Sequence, residues 1–463
     1  MNVALLLLPV AAVVVSAQTP CEQLRALELP DTVITRAETS GKGSAPNGLE
    51  SLPAFCRISA TIAPTSDSDI KVEIWLPISG WNGKYQAVGN GAFAGNFNGQ
   101  TMGVALGQGY ATSSTDTGHV GGSASFALGH PEKLIDFAYR SEHEMVLKSK
   151  ALIEAFYGSP ARYSYWNGCS TGGKQGLTEA QRYPEDFDGI IAGAPANYVI
   201  HLEAWSIWVS QAVHKTPESF IPQAKYQVLH HAVMNVCDAL DGVKDGVLED
   251  PRRCHFDPKV LLCKNGDAPT CLTAPQVTAA KTIYSPAINP RTKKEVFPPL
   301  QPGSEMSWNP ATPPPGLAGQ QPMGVAVDTF RYLIFKDPTW DPMTLNFDKD
   351  IELADKIDNH TNNAIDPNLK PFFSHHGKLL MYHGWTDQLI APENSINYYN
   401  SVAKELGGAS KVSDSMRLFM APGMNHCRDG DGPNSFDAVT LMEQWVEQGK
   451  APEKIIASHS SPA

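Results

Sequence analysis

The sequence predicts an α/β fold, a mostly parallel sheet with helices on both faces, split by one large inserted segment. Three observations predict it. Short apolar runs alternate with helix-patterned stretches up to residue 197, which is the rhythm of a wound parallel sheet. Between 198 and 375 the rhythm stops, four of the eight cysteines appear, and proline-rich stretches such as FPPLQPG and NPATPPPG take over. At Lys378 it resumes, with two further strands and two further helices. The 463 residues, 42% hydrophobic and 18% charged, are enough for a large core carrying an inserted subdomain. The expected division is therefore a first core part over 18–197, a lid over 198–375, and a second core part over 376–463.

Residues 1–17 hold no charged side chain, and LLLLPVAAVVV followed by Val15-Ser16-Ala17 has the length and the small-x-small end of a signal peptide rather than a membrane span. A secreted protein, extracellular or periplasmic, is expected. Eight cysteines in an oxidising compartment suit disulfides better than metal thiolates, and no C-x-x-C pair is present. The sequence alone leaves their connectivity open. With 48 acidic against 36 basic residues and a net charge of -12, neither nucleic acid nor an anionic membrane is an expected partner.

Each element has its own signal. Ile70–Leu76 alternates apolar and polar residues, as a half-buried strand near a sheet edge does. Tyr85–Val88 is the next strand, running into the glycine-rich loop Gly89–Gly95. Tyr110–Ser114 leads to Asp116-Thr117-Gly118-His119. The stretch 136–157 places Ala138, Met145, Leu152 and Phe156 on one face of a long helix stopped by Gly158. Tyr163–Trp166 and Gly189–Ala194 are strands flanking a helix over Lys174–Arg182. After the inserted segment come the strand Lys378–His383, a helix over Glu393–Leu406, the strand Met416–Met420 and a closing helix over Ser435–Gln448.

The chemistry centres on Gly168-Cys169-Ser170-Thr171-Gly172. Lying between a strand and a helix, this G-x-S-x-G reads as a nucleophile elbow, a turn so sharp that larger neighbours would clash. In an α/β-hydrolase the order is Ser, then an acid, then His, the last two on loops after late strands. Asp387 follows the strand KLLMYHG and His426 follows MRLFMA, so Ser170 is the expected nucleophile, His426 the general base and Asp387 its carboxylate. Thr171, directly after the serine, and Gly91, in the early glycine-rich loop, are the expected oxyanion donors, although that loop alone reads equally as a flexible turn. Cys169 and Cys427 adjoin Ser170 and His426, and a bond between them would hold the two loops together.

The motifs GNGAFAG, ATSSTDTGH, DFAYRSEHEM, YWNGCSTGGKQGL, FDGIIAGAPA, HGWTDQLI and APGMNHC run over the whole core and resemble those of the tannase and feruloyl esterase family of secreted α/β-hydrolases. The resemblance implies that Ser170, Asp387 and His426 are a catalytic triad and that Cys169 pairs with Cys427. It also bears on the segment 238–247. There Asp238, Asp241 and Asp245 alternate with glycines, a plausible oxygen site for a hard cation, though Asp-Gly pairs are ordinary turns as well. The segment is similar to the family's structural calcium site, which implies Ca2+ held by those three carboxylates and the carbonyls of Val243 and Val247. Cys237 and Cys254 flank the loop and are expected to pair around it, leaving Cys263 with Cys271 and Cys21 with Cys56. No organic cofactor is expected.

The resulting expectation is a serine esterase cleaving esters of hydroxycinnamic or related phenolic acids, free or polysaccharide-linked. Tannase-type galloyl esters and mono(2-hydroxyethyl) terephthalate are the alternatives, with Trp205 and Trp208 as candidate ring-stacking residues. A catalytically silent secreted binding protein is the reading from another class. Reaction with a serine-directed organophosphate separates it from the enzyme.

Overall fold

The computed structural model describes residues 18–43, 52–310 and 316–459. The expected signal peptide at 1–17 and residues 311–315 of the proline-rich stretch lie outside them. Nine strands form one sheet: β1 (Thr32–Ser40), β2 (Phe55–Ile62), β3 (Ile70–Pro77), β4 (Lys84–Val88), β5 (Ala111–Thr115), β6 (Tyr163–Cys169), β7 (Gly189–Gly193), β8 (Lys378–Gly384) and β9 (Met416–Ala421). Their spatial order is β1-β2-β3-β5-β4-β6-β7-β8-β9. Strands β5 to β9 pair in parallel with β4 among them, and β1, β2 and β3 add an antiparallel flank.

That flank corrects the reading of Ile70–Leu76 as a near-edge, half-buried strand. β3 is third in from the edge, and Ile70, Val72, Ile74 and Leu76 are all fully buried. Its alternating polar residue Glu73 is buried too, because Arg57 and Ser59 of β2 and the indole of Trp75 all donate to its carboxylate. A charge satisfied in this way can sit inside a sheet, which is why alternation misled.

Helices cover both faces. On one, α1 (Ser141–Tyr157) and α2 (Thr171–Arg182) bury Met145, Leu152, Leu177 and Ala180 against the strands. On the other, α5 (Ala438–Gln448) brings Met442 and Trp445 onto Tyr165, Ile191 and Leu380. The long helix expected over 136–157 is instead a π-helical turn, Asp136–Arg140, running into α1. Here Asp136 is buried and accepts from Arg140 and Ser68.

Between β7 and β8 the chain builds a second apolar core around α3 (Val199–Val213), which includes Trp205, Phe297, Trp308 and Phe330. Phe93, Phe137, Ile390 and Ala391 from the sheet's loops join that core. By residues 364–372 the chain is already back on the sheet, since Ala364, Leu369 and Phe372 pack in the sheet's own cluster. The return precedes the expected boundary at 375. Helix α4 (Glu393–Glu405) follows β8.

Glu73→Ala leaves the half-buried Arg57 without its carboxylate, and we expect a loss of about 3 kcal/mol, measurable as a lowered midpoint in denaturant unfolding with an unchanged m-value.

Candidate active site

Three loops meet at the carboxyl ends of the parallel strands, where open α/β sheets place their ligands. The first is the turn from β6 into α2. Ser170 sits at φ 65° and ψ -125°, a strained conformation for a residue with a side chain. It is fixed on both sides: its N–H donates to the Gly193 carbonyl, and its carbonyl accepts from Lys174 and Ala196. The flanking glycines are required by contact. A Cβ on Gly168 would lie 2.4 Å from the Gly172 carbonyl oxygen, and one on Gly89 would lie 2.5 Å from the Gly172 Cα.

That second approach brings in the glycine-rich loop after β4. The Gly172 N–H donates to the Asn90 carbonyl at 2.8 Å, and the Thr171 hydroxyl donates to the Ala92 carbonyl at 3.1 Å. Gln175 of α2 locks the pair, because its Oε1 accepts the Asn90 N–H and its Nε2 donates to the Asn90 side chain and to Glu142. Two residues of this loop, Ala92 at φ 46° and Phe93, line the cavity with Ser170. Gly91 lines a separate surface groove with Asn96 and Asn98. Of the two expected oxyanion residues, Thr171 lines the cavity with Ser170 and Gly91 does not.

The third loop region follows β8 and β9. Asp387 is fully buried, and its carboxylate takes four donors: His426 Nδ1 at 2.7 Å, His383 Nε2 at 3.0 Å, and the N–H groups of Leu389 and Ile390 at 2.8 and 2.9 Å. Burial pushes the carboxyl upward, but the charges and hydrogen bonds of His426 and His383 outweigh it and hold the group well below the usual carboxylate range. His383 Nε2 also faces the Ile390 carbonyl, and its Nδ1 faces the Ser395 hydroxyl. The first nitrogen, facing two acceptors, therefore carries a proton. In the sequence His383 shows only as the end of a strand. Its signal was the spacing of four to Asp387 at a strand's end.

Disulfides join Cys169 to Cys427 with Cα atoms 6.1 Å apart, Cys21 to Cys56, Cys237 to Cys254 and Cys263 to Cys271. These are the four pairs expected.

Ser170 and His426 open onto one narrow cleft of about 120 Å³. Its walls are mainly apolar: Phe93, Phe137, Leu202, Leu317, Met323, Leu389 and Ile390 among others. Lys174 also reaches it, but its ammonium donates to the Ala138 carbonyl at 2.6 Å. Burial lowers that lysine to about 8 against the pull of Glu142, and burial raises Glu142 to about 7. Trp205 and Trp208 do not line the cleft. They pack against Phe297 and Phe347 inside the second core, so the aromatic walls are Phe93 and Phe137, 5.2 Å apart.

In the 238–247 loop, Asp241, Val243, Asp245 and Val247 share a surface groove with Glu249 and Asp431, a set of hard oxygen donors that suits Ca2+. Asp238 is buried and accepts the Gly246 N–H, while Asp241 and Asp245 accept N–H groups of Val243 and Val247. Among the described residues, metal-ligating atoms converge within 4.8 Å only at His143, Glu179 and Asp186, away from the cleft.

A hydroxyl on a strained turn and an imidazole that face one apolar cleft, the imidazole held from behind by a buried carboxylate, define an ester-cleaving α/β-hydrolase. The chain belongs to the tannase and feruloyl esterase family, whose model matches residues 56–463. It is 37% identical to an uncharacterised esterase of Xanthomonas campestris over 96% of this chain and 84% of that one. It is 34% identical to a probable feruloyl esterase B-2 of Neosartorya fischeri over 93% of this chain and 82% of that one. Among solved structures it superposes on feruloyl esterase B from Aspergillus oryzae with a TM-score of 0.88 at 32% identity, covering 94% of this chain and 91% of that one. Tannin acyl hydrolase from Aspergillus niger gives 0.80 at 25% identity, with coverages of 95% and 87%.

Because the folded Asp387 carboxyl is held low, its charged form stabilises the fold fully above the unfolded carboxyl range near pH 4, and that contribution shrinks as pH falls below this range and is lost once the folded carboxyl protonates. Asp387→Asn should therefore cost more stability at pH 7 than at pH 3, as read from thermal unfolding at the two pH values.

Proposed function

We propose that this chain is a serine esterase that hydrolyses esters of hydroxycinnamic or related phenolic acids through an acyl-enzyme. The observation that carries the proposal is the meeting of Ser170, on its strained turn, with the Asp387-bound His426 at one apolar cleft. Ser170 Oγ attacks the ester carbonyl carbon while His426 takes the hydroxyl proton, and Asp387 stabilises the imidazolium. The oxyanion is received by the N–H groups of Thr171 and Ala92. Collapse breaks the bond to the alcohol, which leaves with the proton from His426. Water then attacks the acyl-enzyme, His426 accepts its proton and returns it to Ser170, and the free acid departs.

The relatives named as feruloyl esterases favour a feruloyl-type acyl group, and the structural match to a tannin acyl hydrolase keeps galloyl esters as the second reading. The α3 region acts as a lid that shapes the cleft. Calcium bound by Asp238, Asp241 and Asp245 with the carbonyls of Val243 and Val247 is structural and enters no chemical step. The four disulfides support an extracellular protein. No helix among the described residues is long and apolar enough to cross a membrane.

Ser170→Ala should abolish hydrolysis of methyl ferulate and methyl gallate while leaving the melting temperature within a degree or so of wild type. Retained turnover would overturn the assignment. A chelator should lower the melting temperature, and added Ca2+ should restore it. Insensitivity to both would remove the calcium from the proposal.

A further inference from the structure

Helix α3 presents Val199, Leu202, Glu203 and Ser206 to the cleft, the spacing of one helical face. Two of the four are polar in an otherwise apolar wall, and neither has a partner. The Ser206 hydroxyl is buried and makes no hydrogen bond. Glu203 is 7% exposed, and among the described residues its carboxyl has no hydrogen-bond or ionic partner. Lys174, the cation on the same wall, is engaged with the Ala138 carbonyl and Glu142 instead.

A buried polar group without a partner is costly, and an unpaired buried carboxylate far more so. Two such groups on the same face of one helix, opening into a substrate cleft, indicate that the partner arrives with the substrate. We propose that Glu203 and Ser206 form a subsite that recognises a neutral ring hydroxyl on the aromatic acyl group. The proposal rests on the esterase reading of the cleft and adds what the cleft selects.

The chemistry fits a phenol. Burial alone, with no charged neighbour opposing it, raises Glu203 to about 8, so the acid is neutral near pH 7 and offers one O–H donor beside its acceptor oxygens. A phenol also donates and accepts. The wall of Phe93, Phe137 and Leu202 takes a planar ring, whereas a sugar alcohol would leave its many hydroxyls against apolar side chains. The recognised hydroxyl therefore belongs to the acyl side.

The test compares methyl ferulate with methyl cinnamate, which share the alcohol and differ at the ring, on wild type, Glu203→Gln, Glu203→Leu and Ser206→Ala. Wild type should favour the hydroxylated ester. Glu203→Leu should reduce the ratio of kcat/KM values by about tenfold, mostly through KM for ferulate, whereas Glu203→Gln, whose amide still donates and accepts, should keep most of the preference. Ser206→Ala, a smaller change, should move the ratio in the same direction. An unchanged ratio in Glu203→Leu and Ser206→Ala, or a Gln variant as indiscriminate as the Leu variant, would overturn the subsite. If wild type cleaves neither ester, the esterase reading of the substrate fails instead, so the two failures are distinguishable.

Discussion

The site rests on a contact between backbones. Gly172 at the start of α2 lies so close to Gly89 and Gly168 that a Cβ on either would overlap it. That approach allows the Gly172 N–H to reach the Asn90 carbonyl and the Thr171 hydroxyl to reach Ala92, so the loop after β4 and the serine turn become one rigid piece. Gln175 and the buried Glu142 complete the lock from the helix side. Strain at Ser170 persists because hydrogen bonds to Gly193, Lys174 and Ala196 determine its backbone from several directions.

The acid-base side is built the same way. A Cβ on Gly384 would lie 2.0 Å from the Met424 carbonyl oxygen, so the loops after β8 and β9 also meet backbone to backbone. The Thr386 hydroxyl donates to Asn425, and the His426 N–H donates to Gln388. Asp387 can be fully buried because its four donors replace the water it loses. The Cys169–Cys427 bond then ties the two rigid pieces together, each cysteine next to the residue it positions.

The parts legible in the sequence were those governed by local pattern. The parallel strands show as apolar runs, the turn at Ser170 by its glycines, and Asp387 and His426 by their places after late strands. Tertiary packing decided the rest. β1 and β2 have no continuous apolar run, yet they bury β3 and move it inward. Trp205 and Trp208 sit on a helix that does wall the cleft, but a helix has two faces, and the one that lines the cleft carries Glu203 and Ser206. A lone acid in the apolar run VIHLEAWSIW was the available signal, and composition could not say which way it pointed.

Two buried carboxyls make the fold bear part of the cost of the site, Glu203 in the cleft without a partner and Glu142 behind it, bonded to Gln175. Glu203 and Glu142 hold protons in the folded chain up to about 8 and about 7, while their unfolded counterparts release them near 4.5. Between those limits the folded state binds more protons, so their contribution to stability falls as pH rises. Lys174, lowered to about 8, acts only above that window. These carboxyls therefore favour the fold least above about pH 8, whereas the charged, four-donor Asp387 favours it there. Stability is concentrated in the groups that position the chemistry and given up in those that face the substrate.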